Sequence, residues 1–321
     1  MVSGEHTDPR PDASAPDRDE PFVHPAVFYR GAEDYLSQTV PFVLDGLAAG
    51  QPVAVAVPPG NLHAIRREVT GDDSVTWLDM TEAGRNPGRI IPTVLRAFAD
   101  QHPDRHVRII GEPIWPSRTA TEYPACVQHE ALINLAFTGR DVTILCPYDA
   151  DGLSETTLAD AKATHPLLVD RDRSWSSDTY APDRIVDAYN RPLPELAGTQ
   201  VRILDAGEPH RARQAAVGLA TDAGLSADRI DAIAMVVTEL VTNSIEHGGG
   251  SPRLQAWITD TEIVYEVFDT GRLTDPLAGR RPVPSGSFRG RGLLLVNTFS
   301  DLVRTHTGPQ GTTIRTHFRR T

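Results

Sequence analysis

Residues 228–250 read DRIDAIAMVVTELVTNSIEHGGG. Ile230, Ile233, Val237, Leu240, Val241 and Ser244 recur at intervals that place side chains on one stripe of an α-helix, so the segment predicts a long helix packed on a sheet. Glu239, Asn243 and His247 are spaced four and four and stack on another face of the same helix. Alone, such a triplet is most simply a solvated polar face. Gly248, Gly249 and Gly250 follow and end the helix.

Three more glycine-bearing turns lie downstream. A strand over 261–268 runs into Asp269-Thr270-Gly271. Gly290-Arg291-Gly292 stands directly before the apolar run 293–296, where glycine permits close backbone approach and a helix N-terminus offers free N–H groups to an anion. Gly311-Thr312-Thr313 opens a last strand. With a strand at 201–205, a helix at 208–223, a strand pair over 253–268 and strands near 302–306 and 312–318, this half predicts helices segregated from an antiparallel sheet, an α+β sandwich.

The first half has another rhythm. Segments 53–57, 75–78, 107–111 and 142–145 read as short buried strands, alternating with helices at 32–49, 90–100, 123–137 and 154–164. That alternation predicts an α/β layer with a mostly parallel sheet. Residues 1–20 are rich in proline and aspartate with almost nothing to bury, and predict a disordered tail without a signal-peptide core. Residues 170–198 lose the rhythm and gather proline and charge. The expected units are therefore 21–175 and 198–321, joined by a linker over 176–197.

Composition removes several function classes. The 321 residues carry 31 basic and 43 acidic side chains, a net charge of −12, so no global basic field attracts nucleic acid or a membrane surface. Lys162 is the only lysine and lies outside any glycine-rich loop, which excludes a Walker-type phosphate loop. Cys126 and Cys146 are too few for an all-thiolate metal site and read as reduced thiols, Cys146 within an apolar strand. No apolar run is long enough for a membrane span, and a cytoplasmic location is the default expectation.

Glu239-x-x-x-Asn243 on a helix, Asp269-x-Gly271 after a strand, Gly290-Arg291-Gly292 before a helix and Gly311-Thr312 opening a strand, in this order, resemble the Bergerat ATP-binding fold of gyrase, heat-shock chaperones, histidine kinases and MutL. The wording of 239–248, ELVTNSIEHG, is most similar to the RsbW-type anti-sigma serine kinases. The resemblance implies that Asn243 ligates Mg²⁺ through its amide oxygen, as a hard cation requires, and that Glu239 is the general base. Asp269 would accept from the adenine amino group, with Gly271 admitting the ring. Gly290 and Gly292 would offer N–H groups to the phosphates, with Arg291 adding charge. His247 and Thr313 would adjoin the nucleotide. Residues 272–289 would form the lid, with Arg272, Arg280 and Arg281 as further phosphate contacts. A histidine kinase proper needs a dimerising helical hairpin before this domain, and the proline-rich residues ahead of 201 leave no room for one.

In the first half, HPAVFYRGAEDYL, GEPIWPSR, HEALINLAF and CPYDA, in that order, resemble the MEDS sensory domain, which occurs fused to RsbW-like ATPases and looks like a degenerate RecA-type α/β unit. Pro58-Pro59-Gly60 stands where a phosphate loop would be, without its lysine. Open α/β sheets bind ligands at strand ends. His24, Glu112, Trp115, Glu130 and Asn134, near Tyr148 and Asp149, are the candidate small-molecule site. The two resemblances together imply an ATP- and Mg²⁺-dependent anti-sigma regulator under control of a sensory domain. It would bind an alternative sigma factor, phosphorylate a serine of a STAS-type anti-anti-sigma partner and pair as a homodimer, without direct contact to nucleic acid or membrane. The alternative is a nucleotide-gated or ligand-sensing interaction module without kinase turnover.

Overall fold

The structure is a computed structural model in which residues 21–69, 73–171, 173–196, 202–204, 206–249, 252–283 and 290–320 are described. The expected disordered tail and residues 284–289 of the expected lid lie outside them. No helix among the described residues is long and apolar enough to cross a membrane.

The first sheet contains β1 (Phe22–Val23), β2 (Pro25–Tyr29), β3 (Val53–Val57), β4 (Thr76–Asp79), β5 (Val107–Gly111), β6 (Val142–Asp149), β7 (Leu167–Asp170) and β8 (Arg173–Ser176). Their order is β4-β3-β5-β6-β2-β7-β8, with β1 also paired to β6. All these pairings are parallel except the terminal β7–β8 hairpin. β2 and β3 are buried at every residue, as their uninterrupted apolar runs require of a parallel sheet covered on both faces. Period-two alternation divides the core. Ala26, Phe28, Ala54, Ile109 and Cys146 face the helices of 87–99 and 123–136, while Val27, Val55, Val57, Ile110 and Leu145 share the opposite cluster with Tyr35, Val43 and Ile65.

The stretch expected to be linker is more ordered than its composition suggested. It holds β8 and the helix Pro182–Tyr189, whose Ile185 joins the first domain's core with Val186 and Tyr189 packed against it. Asp160 accepts hydrogen bonds from both Tyr123 and Tyr189 hydroxyls, fixing that helix beside Tyr123–Ala136.

The second sheet is antiparallel, in the order β12-β13-β11-β10-β9, from β9 (Arg202–Leu204), β10 (Arg253–Ile258), β11 (Glu262–Asp269), β12 (Leu302–Gly308) and β13 (Gly311–Arg319). Helices Pro209–Asp222, Ala227–His247 and Gly292–Phe299 belong to this domain. Ile233, Val237, Leu240 and Val241 of the long helix meet Leu254, Ile263, Tyr265, Val267 and Phe318 in one core, the segregated arrangement expected. On the opposite face Arg315 pairs with buried Glu266, its guanidinium 5.4 Å from the Trp257 ring centroid, and donates to the Pro194 carbonyl at 2.8 Å. Residues of the crossing segment thus reach the face that the helices leave free.

The domains meet at the short helix Pro87–Ile90. Asn86, fully buried, donates to the Asn297 carbonyl at 2.7 Å, while its Oδ1 accepts from the Gly88 and Val303 amides. A Cβ on Gly88 would lie 1.9 Å from Asn297 Oδ1. Gly88→Ala is therefore expected to destabilise the protein by about 1–3 kcal/mol through overpacking, read as a lower urea midpoint. An unchanged midpoint would contradict this account of the junction.

Candidate functional site

The long helix stops where its end meets the end of β11. A Cβ on Gly248 would lie 2.3–2.6 Å from the Asp269 carboxyl group, and one on Gly271 would lie 2.5 Å from Gly248 Cα. Only glycine admits this approach. The Asp269 carboxylate is held from two sides: Ser244 Oγ donates to Oδ2 at 2.6 Å and the Gly271 amide to Oδ1 at 2.9 Å. Ser244 is the last residue of the apolar stripe, so the helix face that packs the core also orients the carboxylate.

Asn243, His247, Asp269, Gly271, Gly290 and Gly292 line one cavity of about 410 Å³. Its apolar wall includes Leu240, Val267, Leu293 and Ile314, giving the apolar lining with a few convergent polar groups typical of cofactor sites. Gly290 takes φ +81°, and Gly292 begins the helix whose first N–H groups have no intrahelical acceptor. A Cβ on Gly292 would sit 2.7 Å from Glu239 Oε2 and 2.9 Å from Asn243 Nδ2, so the loop lies directly against the Glu239–Asn243 edge of the helix. Asn243 Nδ2 is buried without a hydrogen-bond partner among the described residues. Arg291 is exposed beside the loop, and His247 is largely exposed at the cavity's rim.

Thr313 is corrected by register. Asp269 pairs with Thr312 and Phe268 with Thr313, and successive strand residues face opposite ways. Thr312 and Ile314 line the cavity, and Thr312 Oγ1 donates to the Gly271 carbonyl at 2.9 Å. Among the arginines, Arg272 and Arg281 border the cavity. Arg280 does not: the residue is half-buried, and burial of its guanidinium lowers its pKa to about 10. Leu277 is 1% exposed within the first domain's core cluster, and Asn297 Nδ2 donates to the Gly279 carbonyl at 3.1 Å. The 272–283 segment is thus anchored in both domains, and a second cavity of about 470 Å³ lies between it and helices Tyr123–Ala136 and Pro182–Tyr189.

The candidate ligand residues of the first domain do not form one site. Glu112 accepts from Asn61 at 2.9 Å and from the Tyr35 hydroxyl at 3.2 Å. Trp115 stacks under Arg118 at 3.9 Å, and Arg118 donates to the carbonyls of Gly84, Arg85 and Pro113, a packing role. His24, Glu130 and Asn134 do come together, joined by Cys146 and by His165, which the sequence did not single out. His165 sits at a helix end before a proline, with no spacing that links it to the others.

Burial raises the Glu112 carboxyl from 4.5 to about 8, only partly offset by its hydrogen bonds from Asn61 and Tyr35. Between those values the folded chain keeps a proton that the unfolded chain has released, so this group's contribution to stability is lost as pH rises. Glu112→Gln is expected to flatten the fall in thermal midpoint between pH 5 and 8; parallel profiles for the two proteins would refute this.

Residues 23–166 match the family described as MEDS, the methanogen/methylotroph, DcmR sensory domain, and residues 204–318 match the histidine kinase-like ATPase domain. Among solved structures, the chain is similar to the RsbU and RsbW domains of Rv1364c from Mycobacterium tuberculosis, at 20% identity and a TM-score of 0.29, over 40% of this chain. It spans 33% of that chain. No curated protein matches it. Because each family match falls on one of the two sheets, the chain is a MEDS sensory domain fused to a histidine kinase-like ATPase domain.

Proposed function

We propose that this protein is an ATP-binding anti-sigma regulator whose second domain is a serine kinase and whose first domain controls it. One observation carries the reading: Asn243, Asp269, Gly271, Gly290 and Gly292 converge on a single cavity. The cavity suits a magnesium nucleotide, since it pairs a buried, unpartnered Asn243 amide nitrogen with a cradle at Gly292 that any Cβ would fill.

Mg·ATP supplies a transferable phosphoryl group whose charge the dication neutralises. Asn243 would hold the cation through its amide oxygen, while the N–H groups at Gly290, Gly292 and the following helix turn would hold the phosphates. Asp269, already oriented by Ser244 and Gly271, would accept from the adenine amino group, with Thr312 beside it. Glu239 would take the proton of an incoming serine hydroxyl. The partners in this reading are an alternative sigma factor and a STAS-type anti-anti-sigma protein that carries the serine, with the regulator working as a homodimer in the cytoplasm.

A second reading, nucleotide-gated binding without turnover, draws on the anchoring of Leu277 in the first domain's core. There the lid's position would set partner affinity while Glu239 stays a polar helix residue. Phosphate transfer from γ-labelled ATP to a STAS-type partner separates the two. Glu239→Ala is expected to lower transfer about 100-fold or more while nucleotide binding persists. Equal transfer by both proteins would remove Glu239 as base, and partner affinity that follows nucleotide without any transfer would favour gating.

A further inference from the structure

We propose that His24, Glu130, Cys146 and His165 form a closed site for one divalent transition-metal ion, zinc by its chemistry, inside the sensory domain. This inference is independent of the nucleotide reading.

Four separate elements deliver the four side chains. His24 occupies the break between β1 and β2, two strands that pair with successive parts of β6. Cys146 lies on β6 opposite Ala26, Glu130 projects from the helix Tyr123–Ala136, and His165 caps the helix Glu155–Thr164. None is more than 1% exposed. Their ligand atoms all lie within 4.8 Å of one another. His24 Nε2 is 3.5 Å and His165 Nε2 3.1 Å from Glu130 Oε2, and Cys146 Sγ is 3.4 Å from His24 Nε2. A tetrahedron with zinc bonds of 2.0–2.3 Å has edges of about 3.3–3.7 Å, close to this arrangement.

Proton accounting leaves a gap that a cation fills. Asn134 Nδ2 donates to the Thr164 carbonyl at 2.8 Å, which turns Oδ1 toward His24 Nδ1 at 3.1 Å and makes that nitrogen the donor. His165 Nδ1 lies 2.8 Å from the Ala161 carbonyl, which can only accept. Both rings therefore spend their Nδ1 hydrogen outward and aim Nε2 lone pairs at a carboxylate. Both Glu130 oxygens and His165 Nε2 accordingly lack hydrogen-bond partners among the described residues.

The donor set selects the ion. One thiolate and two imidazoles suit zinc and its borderline neighbours, whereas magnesium and calcium want oxygen alone. Binding forms the sulfur–metal bond as the Cys146 thiol releases its proton to solvent, so one proton leaves per ion. A dication with one thiolate and one carboxylate is then neutral, which burial favours. Asn134 and Ala161 supply the outer hydrogen bonds that orient metal-bound imidazoles. Phe22 stacks on His24 at 5.8 Å and Tyr148 meets His165 edge-on at 5.5 Å, walling the centre with aromatic rings. Four protein ligands leave no open coordination position, the pattern of a structural or sensing centre. Asn134 also lines the cavity between the domains, so the centre's outer shell borders the anchored lid segment.

The test is elemental analysis of the reduced full chain, then titration of the chelator-stripped chain with Zn²⁺ and Co²⁺ under circular dichroism. One zinc per chain, one proton released per ion and a sulfur-to-cobalt charge-transfer band are expected. Cys146→Ser should abolish that band, and Asn134→Ala should weaken zinc binding about 10–100-fold. A folded, reduced wild-type chain that takes up neither ion would overturn the site, as would an unchanged cobalt spectrum in Cys146→Ser. Should a variant not fold, wild-type stoichiometry and its cobalt band decide.

Discussion

The buried amide of Asn86 is the contact on which the two domains depend. It donates to the Asn297 carbonyl and receives the Gly88 and Val303 amides, serving backbone groups of both domains at once. Removing it would leave several buried polar groups unsatisfied, each costing about 1–3 kcal/mol. Asn297 extends the connection, since its own amide holds the Gly279 carbonyl. The helix behind the glycine loop, the segment beside the cavity and the sensory domain therefore share one junction.

Electrostatics reinforce that junction. Asp301 meets Arg85 of the first domain at 3.1 Å and Arg229 of the second at 3.0 Å, and Arg304 donates to the Thr121 carbonyl at 2.7 Å. Asn190 donates to the Thr307 carbonyl and accepts its amide. The crossing segment thus lies hydrogen-bonded along β12 rather than hanging between two bodies. Apolar packing joins the domains as well, since Leu277 of the cavity-side segment lies in the first domain's core cluster.

What was legible in the sequence follows the strength of the local signal. The helix at 228–247 was readable because a sustained 3.6-residue stripe has few alternatives, and the glycines were readable only through their order with Glu239, Asn243 and Asp269; the structure adds that Asp269 and Glu239 crowd the space where a Cβ on Gly248 or Gly292 would go. Thr313 was misplaced for Thr312 because a shift of one residue along a strand exchanges its faces, and motif order does not fix register. The helix Pro182–Tyr189 was hidden by its own start signal, since Pro182 in a charged stretch looks like a breaker when it is an N-terminal helix residue. The cluster around Glu130 was half visible. His24, Glu130 and Asn134 carried motif weight, whereas Cys146 looked like core and His165 like a helix end, and only the tertiary fold brings them together.

The ATPase domain's fold follows from its family and sheet, whereas a working nucleotide site depends on Asn243 and the glycine loop acting together. Calorimetric titration of Mg·ATP into the full chain, beside Asn243→Ala of unchanged circular dichroism, addresses that dependence directly. Saturable binding by the wild-type chain that is lost or strongly weakened in the variant is the predicted result. No binding by either protein, or equal binding by both, would contradict the account and leave the cavity without the role assigned to it.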